Sequence, residues 1–302
     1  MPSPREAPKS LQKRMDEVVE AVNKKIGKLM PETDLPEDKL YEAMRYGTMN
    51  GGKRLRPFMV IESANLFNVD PRRSKRVAAA LEFIHCYSLI HDDLPAMDNA
   101  DLRRGKPATH RTFDEATAIL AGDALQALAF EVLADPATHE DPRVRIELVA
   151  RLAEAAGGHG MCGGQMLDLI GEKEEFDVGT ISRLQRMKTG KLMAFACEAG
   201  AILGKSDGPH RKALCNYAYD LGLAFQVTDD VLDVEADPNE TGKPANQDAA
   251  AGKSTFVTAM GKEAAQMRAE MLVTQAQRHL KVFGDRAGPL IELADYVLQR
   301  RA

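Results

Sequence analysis

Twice in this chain a largely apolar run leads straight into a cluster of aspartates. The first, HCYSLIHDDLPAMD, ends in Asp92, Asp93 and Asp98; the second, FQVTDDVLD, carries Asp229, Asp230 and Asp233. Carboxylates beside apolar sequence are costly to bury unless something cationic compensates them. A fold for this chain must bring the ends of two apolar segments to a place where positive charge is available. Two such clusters, about half the chain apart, predict a set of divalent cations held between them.

The apolar residues recur at three- and four-residue spacing, as in Leu11, Met15, Val18, Val22 and Ile26. That is the signature of an amphipathic helix. The same reading predicts helices over 10–30, 37–49, 57–67, 71–92, 112–133, 142–156, 179–203 and 209–235, with two or three more to the C-terminus. Gly157 to Gly164 reads as a glycine-rich interruption, and 236–253 as a loop. Strand-type alternation is not persuasive anywhere. The expectation is an all-α protein with one domain over 1–302, of which 1–9 is a loose tail.

Composition narrows the class. A net charge of −5 gives no reason to expect nucleic acid as partner. Four cysteines without CxxC spacing read as reduced thiols in a cytoplasmic protein. No signal peptide is visible, and no uncharged apolar run approaches the ~20 residues of a membrane helix.

Pro95 cannot sit unperturbed inside a helix, so Asp92 and Asp93 fall at a helix C-terminal end and Asp98 in a turn beyond it. Six residues of ideal helix would rotate Asp98 about 240° from Asp92; the break lets them converge. Carboxylates at a C-terminal end oppose the helix dipole and need cations beside them. Without His or Cys at ligand spacing, such a set suits Mg²⁺. On the second segment Asp229 and Asp233, four apart, share a helical face. Gln165 and Asp168 do likewise at three apart, and Gln226 stands three before Asp229. Lys53, Arg56, Arg103, Arg104, Lys188, Lys243 and Lys253 each lie near a glycine, a turn or an aspartate cluster. Together they match the charge of one diphosphate or two. The loop 242–255 is not a Walker A motif. His91-Asp92 also matches the dipeptide of metal-dependent phosphohydrolases.

These residues carry a resemblance. GGKRLRP at 51–57, DDLPAMD at 92–98, LRRG at 102–105, GGQMLDL at 163–169, KTGKL at 188–192, FQVTDDVLD at 225–233 and GK…GKST at 242–255 resemble the all-trans polyprenyl diphosphate synthases, most closely the bacterial farnesyl diphosphate synthases. The resemblance runs from about residue 37 to the C-terminus. It implies the isoprenoid synthase fold, a bundle of antiparallel helices around a deep central cavity, and a homodimer. By similarity Asp92, Asp98 and Asp229 ligate three Mg²⁺ on an allylic diphosphate, with Asp93 and Asp233 in support. Lys53, Arg56, His85 and Arg104 hold isopentenyl diphosphate. Arg103, Lys188, Thr189, Gln226, Lys243 and Lys253 hold the allylic partner, and Arg300 and Arg301 fold over it. Ala100 and Asn246 depart from the family pattern.

The implied reaction is head-to-tail condensation of isopentenyl diphosphate with dimethylallyl or geranyl diphosphate. The growing tail should run back along the helix before Asp92. Tyr87 lies five residues back, about 7.5 Å of helical rise, and is expected to close the cavity floor, with Ser88 leaving space. In the family an aromatic there, with the four-residue gap in DDLPAMD, marks a C15 producer. The alternatives are a geranylgeranyl (C20) synthase, a non-catalytic regulatory subunit of a prenyl synthase, and a metal phosphohydrolase built on His91-Asp92.

Overall fold

The computed structural model describes residues 9–32, 34–206, 208–235 and 255–299. Helix α1 (Lys9–Leu29) buries the expected stripe of Leu11, Met15, Val18, Val22 and Ile26. It is followed by α2 (Asp38–Met49), α3 (Leu55–Asn65) and α4 (Pro71–Asp92). A two-residue hairpin, β1 (Leu102–Arg103) and β2 (Lys106–Pro107), precedes α5 (Thr109–Thr112), α6 (Glu115–Ala134) and α7 (Pro142–Ala156). Then come α8 (Met161–Gly171), α9 (Val178–Gln185), a π-helical turn (Arg186–Gly190), α10 (Lys191–Leu203) and α11 (Gly208–Glu235). The described chain ends with α12 (Phe256–Met260), α13 (Lys262–His279), a 3₁₀ segment (Leu280–Ala287) and α14 (Gly288–Gln299).

The innermost helices are α3, α4, α10 and α11. Every residue from Leu192 to Leu203 except Glu198 is buried, as is Pro57 to Ala64. Glycine sets the closest approach between α10 and α3: a Cβ on Gly200 would stand 2.3 Å from Ser63 Oγ and 2.4 Å from the Ala64 nitrogen. Around this centre α6 packs along α4, α13 along α11, and α1 covers α3 and α4. Tyr217 of α11 is fully buried, and its hydroxyl donates to the Leu290 carbonyl of α14 at 2.7 Å. One buried apolar cluster runs from Leu11 to Val297.

Among the described residues the fold is all-α apart from that hairpin, and it differs from the sequence expectation at four places. The helix expected from 112 starts at Glu115, because Asp114 caps it by accepting the Thr117 amide at 2.7 Å, and the short α5 precedes it. The glycine-rich interruption ends earlier, with Gly163 and Gly164 already helical in α8. The stretch 179–203 is broken by the π-helical turn. The hairpin was not anticipated; Arg104 and Gly105 both take positive φ, 53° and 76°, in a two-residue connection of the type I′ kind. A further difference concerns α6, which by length and composition is apolar enough to cross a bilayer, although it carries Asp123 and lies along α4.

Candidate active site

Helix α4 is fixed at its start by Asp70, which accepts the Arg72 amide at 2.8 Å, with Pro71 as first residue. It ends as the position of Pro95 requires. The Leu94 amide turns back to the His91 carbonyl, and the Asp98 amide donates to the Asp92 carbonyl at 2.8 Å. That turn folds Asp98 back beside Asp92. Burial pushes the Asp92 carboxyl up to about 6; Lys188 opposes this, and the Asp98 charge adds to it.

Asp93 points the other way and is 2 % exposed. Arg103 Nε donates to its Oδ1 at 2.9 Å and its Oδ2 at 3.2 Å, and Nη2 closes a second arm on Oδ1. The hairpin aims both arginines: Arg103 goes to Asp93, while Arg104 Nη1 donates to the Gly51 carbonyl. Gly52, at φ +109°, gives room for this, since a Cβ there would stand 2.5 Å from Arg104 Nη1.

The three cations of 53–56 divide. Arg54, at φ 49°, turns wholly inward and pairs with Glu82 Oε1 at 2.5 Å. It also donates to Asn23 Oδ1 and to the Thr48 carbonyl. Arg56 faces His85, its Nη1 3.4 Å from Nε2. Burial first, then Arg56 and Arg104, holds the His85 imidazole well below its usual range, so it is neutral at pH 7. Lys53 is exposed, its Nζ 5.8 Å from the centroid of the Tyr296 ring.

On the opposite wall, α8 lies directly on the π-helical turn. A Cβ on Gly164 would stand 2.2 Å from the Lys188 nitrogen, so only glycine allows this approach. The contact sets Asp168 Oδ2 2.6 Å from Lys188 Nζ. Next to it, Thr189 Oγ1 donates to Gln226 Oε1 at 3.1 Å, tying the turn to α11. Single π turns inside α-helices recur at functional sites, because the extra residue re-aims side chains.

Two hollows meet at Arg56 and His85, which line both. One is a cleft of about 760 Å³ that takes in Gly51 to Arg56, Arg104 and two side chains not anticipated there, Phe225 and Tyr296. The other, about 380 Å³, has Asp92, Lys188 and Thr189 at one end, with Tyr87, Ser88, Met161 and Cys162 also on its walls. Tyr87 is 5 % exposed and packs edge-on against His91, ring centroids 5.7 Å apart. His91 Nε2 lies 3.1 Å from the Ile119 carbonyl, with Gly122 against the ring. This imidazole is thus engaged with α6, which weakens the phosphohydrolase expectation.

In the second cluster Asp230 is buried and accepts the Phe256 amide at 2.7 Å, at the start of α12. Asp229 and Asp233 are half-buried on α11. Lys243, Asn246, Lys253, Arg300 and Arg301 lie outside the described residues. Among the described residues no three His, Cys, Asp or Glu side chains close on one point as a finished cage. The donor set nevertheless fits Mg²⁺, which keeps its waters and takes one or two carboxylates beside substrate phosphate. Asp92 is such a carboxylate, half-buried and accepting no hydrogen bond from a described residue.

Residues 37–283 match the family model described as polyprenyl synthetase. The chain is 43 % identical over 294 residues to the farnesyl diphosphate synthase of Escherichia coli (strain K12), covering 95 % of this chain and 98 % of that one. It is 40 % identical to the farnesyl diphosphate synthase of Geobacillus stearothermophilus, covering 90 % and 92 %. Among solved structures, an FPP/GFPP synthase from Zymomonas mobilis in its apo form superposes with a TM-score of 0.88. That pair is 47 % identical, over 96 % of this chain and 99 % of the other.

Proposed function

The chain belongs to the polyprenyl synthetase family and is a prenyltransferase; from that premise we propose that it condenses isopentenyl diphosphate with dimethylallyl and then geranyl diphosphate to give (2E,6E)-farnesyl diphosphate. One observation carries the reading. A charged mouth of Asp92, Asp98 and Lys188 opens on a hollow walled by Tyr87, and that hollow joins a basic cleft at Arg56 and His85.

Asp92 and Asp98 from one side and Asp229 from the other would hold Mg²⁺, three ions in all. Mg²⁺ supplies the positive charge that lets an allylic diphosphate depart as an anion. Lys188, with Asp168 fixing its ammonium, and Arg103, braced on Asp93, stand where that negative charge develops. Thr189 and Gln226 orient the same diphosphate, together with Lys243 and Lys253. Lys53, Arg56, His85 and Arg104 grip isopentenyl diphosphate in the cleft, with its double bond toward the allylic carbon. The allylic carbon–oxygen bond breaks, the double bond attacks the cation, and a proton is lost. His85 is turned to Arg56, so the departing pyrophosphate is the acceptor. The apolar walls keep water from quenching the cation. Arg300 and Arg301 close over the charged end.

Tyr87 sets the product length as the floor of the hollow. The chain acts as one domain, in the cytoplasm, where its four free cysteines stay reduced. A second copy covers the outer face of α6, where Ile119 and Leu120 stand exposed.

The test is product analysis by mass after incubation with Mg²⁺, isopentenyl diphosphate and dimethylallyl diphosphate, followed by dephosphorylation. A dominant C15 alcohol is expected, and Tyr87→Ala should lengthen it. A C20 product from the native chain would keep the chemistry and discard the Tyr87 floor. No condensation with any allylic starter would favour the regulatory subunit.

A further inference from the structure

Tyr87 can end a growing chain only if its ring stays across the hollow, and a phenol at a cavity wall has rotamers that leave it. What holds the ring is therefore as much a part of product choice as the ring itself. On one face His91 packs edge-on, and is itself engaged with the Ile119 carbonyl. At its far tip the Tyr87 hydroxyl lies 3.3 Å from Cys162 Sγ, on the first turn of α8. Gln126 of α6 lies beside that hydroxyl. The phenol thus reaches from α4 to groups on both neighbouring helices.

The two outer partners lie at the surface: Cys162 and Gln126 are exposed, whereas Tyr87 is buried. The ring is therefore the barrier between the hollow and the outside of this chain along that direction. Cys162 also lines the hollow beside Met161 and Gln165. A chain that outgrew the hollow would have to push the phenol off the thiol, in the gap between α4, α6 and α8.

We infer that Cys162 is a positioning residue for product length: its thiol latches the Tyr87 hydroxyl and keeps the floor shut after the second condensation. This rests on the farnesyl reading above. Cys162 touches neither diphosphate nor the reacting carbons in that reading, and acts only through Tyr87. A neutral hydrogen bond has a net worth equivalent to about a two- to tenfold change in an equilibrium. Losing the latch should raise the C20:C15 product ratio by that factor.

The experiment compares product ratios of the native chain, Cys162→Ala, Cys162→Ser, Tyr87→Phe and the double variant Tyr87→Phe/Cys162→Ala, each with saturating isopentenyl diphosphate and geranyl diphosphate. Cys162→Ala and Tyr87→Phe should each raise the ratio with the KM for isopentenyl diphosphate unchanged. The double variant should go no further than Tyr87→Phe, which already removes the hydroxyl that the thiol holds. Cys162→Ser, which keeps a hydrogen-bonding group, should stay near the native ratio. A native ratio in Cys162→Ala, or a double variant whose shift is the product of the two single shifts, overturns the latch and leaves the farnesyl reading standing. A native chain that already makes mainly C20, or that makes no product, overturns both. Should Cys162→Ala fold poorly, Cys162→Val takes its place, because it fills the volume of the thiol and removes the hydrogen-bonding group.

Discussion

The two aspartate pairs look alike in sequence and are built alike in one respect. In Asp92-Asp93 and again in Asp229-Asp230, the second member turns inward and serves the fold. Successive helical residues differ by about 100° in direction, so an adjacent pair at a cavity edge places one carboxylate toward the cleft and one toward the protein. They differ in the partner that the described residues supply. Asp93 meets a guanidinium delivered by the hairpin, whereas Asp230 accepts, among its contacts, the Phe256 amide at the start of α12. Among the described partners the first pair thus meets a charge and the second a backbone group. The doubled aspartate encodes two jobs, and sequence identity does not reveal which residue has which.

The sharpest way to break this comparison is to remove the outward members. Asp92→Ala and Asp229→Ala are each expected to lower kcat by about a thousandfold, the scale of losing a main charge stabiliser of the transition state, while urea unfolding stays near native. Near-native turnover in either would end the metal assignment. The next largest effect belongs to the inward cation of the glycine turn. Arg54→Met strands Glu82 in the core and should cost about 3–5 kcal/mol in urea unfolding. Arg56→Met should instead raise the KM for isopentenyl diphosphate. The smallest effect is at Asp230. Asp230→Ala leaves the Phe256 amide without that acceptor, at a cost of about 1–3 kcal/mol by the same measurement. If Asp230→Ala lost turnover as completely as Asp229→Ala with no change in stability, the division between the two would be wrong.

Much of the fold was readable in advance where local chemistry leaves little choice. Asp70-Pro71 and Pro95 bracket α4, and its observed span matches that expected. The convergence of Asp98 on Asp92 followed from the same proline. Arg54 was harder, because its burial depends on Asn23 and Glu82, which come from other helices. Nothing in KRLRP separates Arg54 from Arg56. The start of α6 was readable and missed, since Asp114 three before Thr117 is an ordinary capping signal. The π-helical turn had no local signal, because it answers to the packing of Gly164 against Lys188. Met161 and Cys162 escaped notice because a hollow's walls are defined by packing, whereas Tyr87 and Ser88 were placed there from spacing.

The turn at Arg186–Gly190 has a bearing on how this chain tolerates change. On its N-terminal side α9 is keyed to α8 and, through Ser182 and Arg268, to α13; on its C-terminal side α10 is keyed to α3 and α7. Each half has its own rotational phase, and the extra residue is the offset between them. Deleting one residue there would yield a smoother helix by every local measure. It would also turn one half by about 100° against the other, so that Lys188 and Thr189 could not both keep Asp168 and Gln226. The irregularity works as a vernier, and shortening it should be far less tolerated than substituting within it.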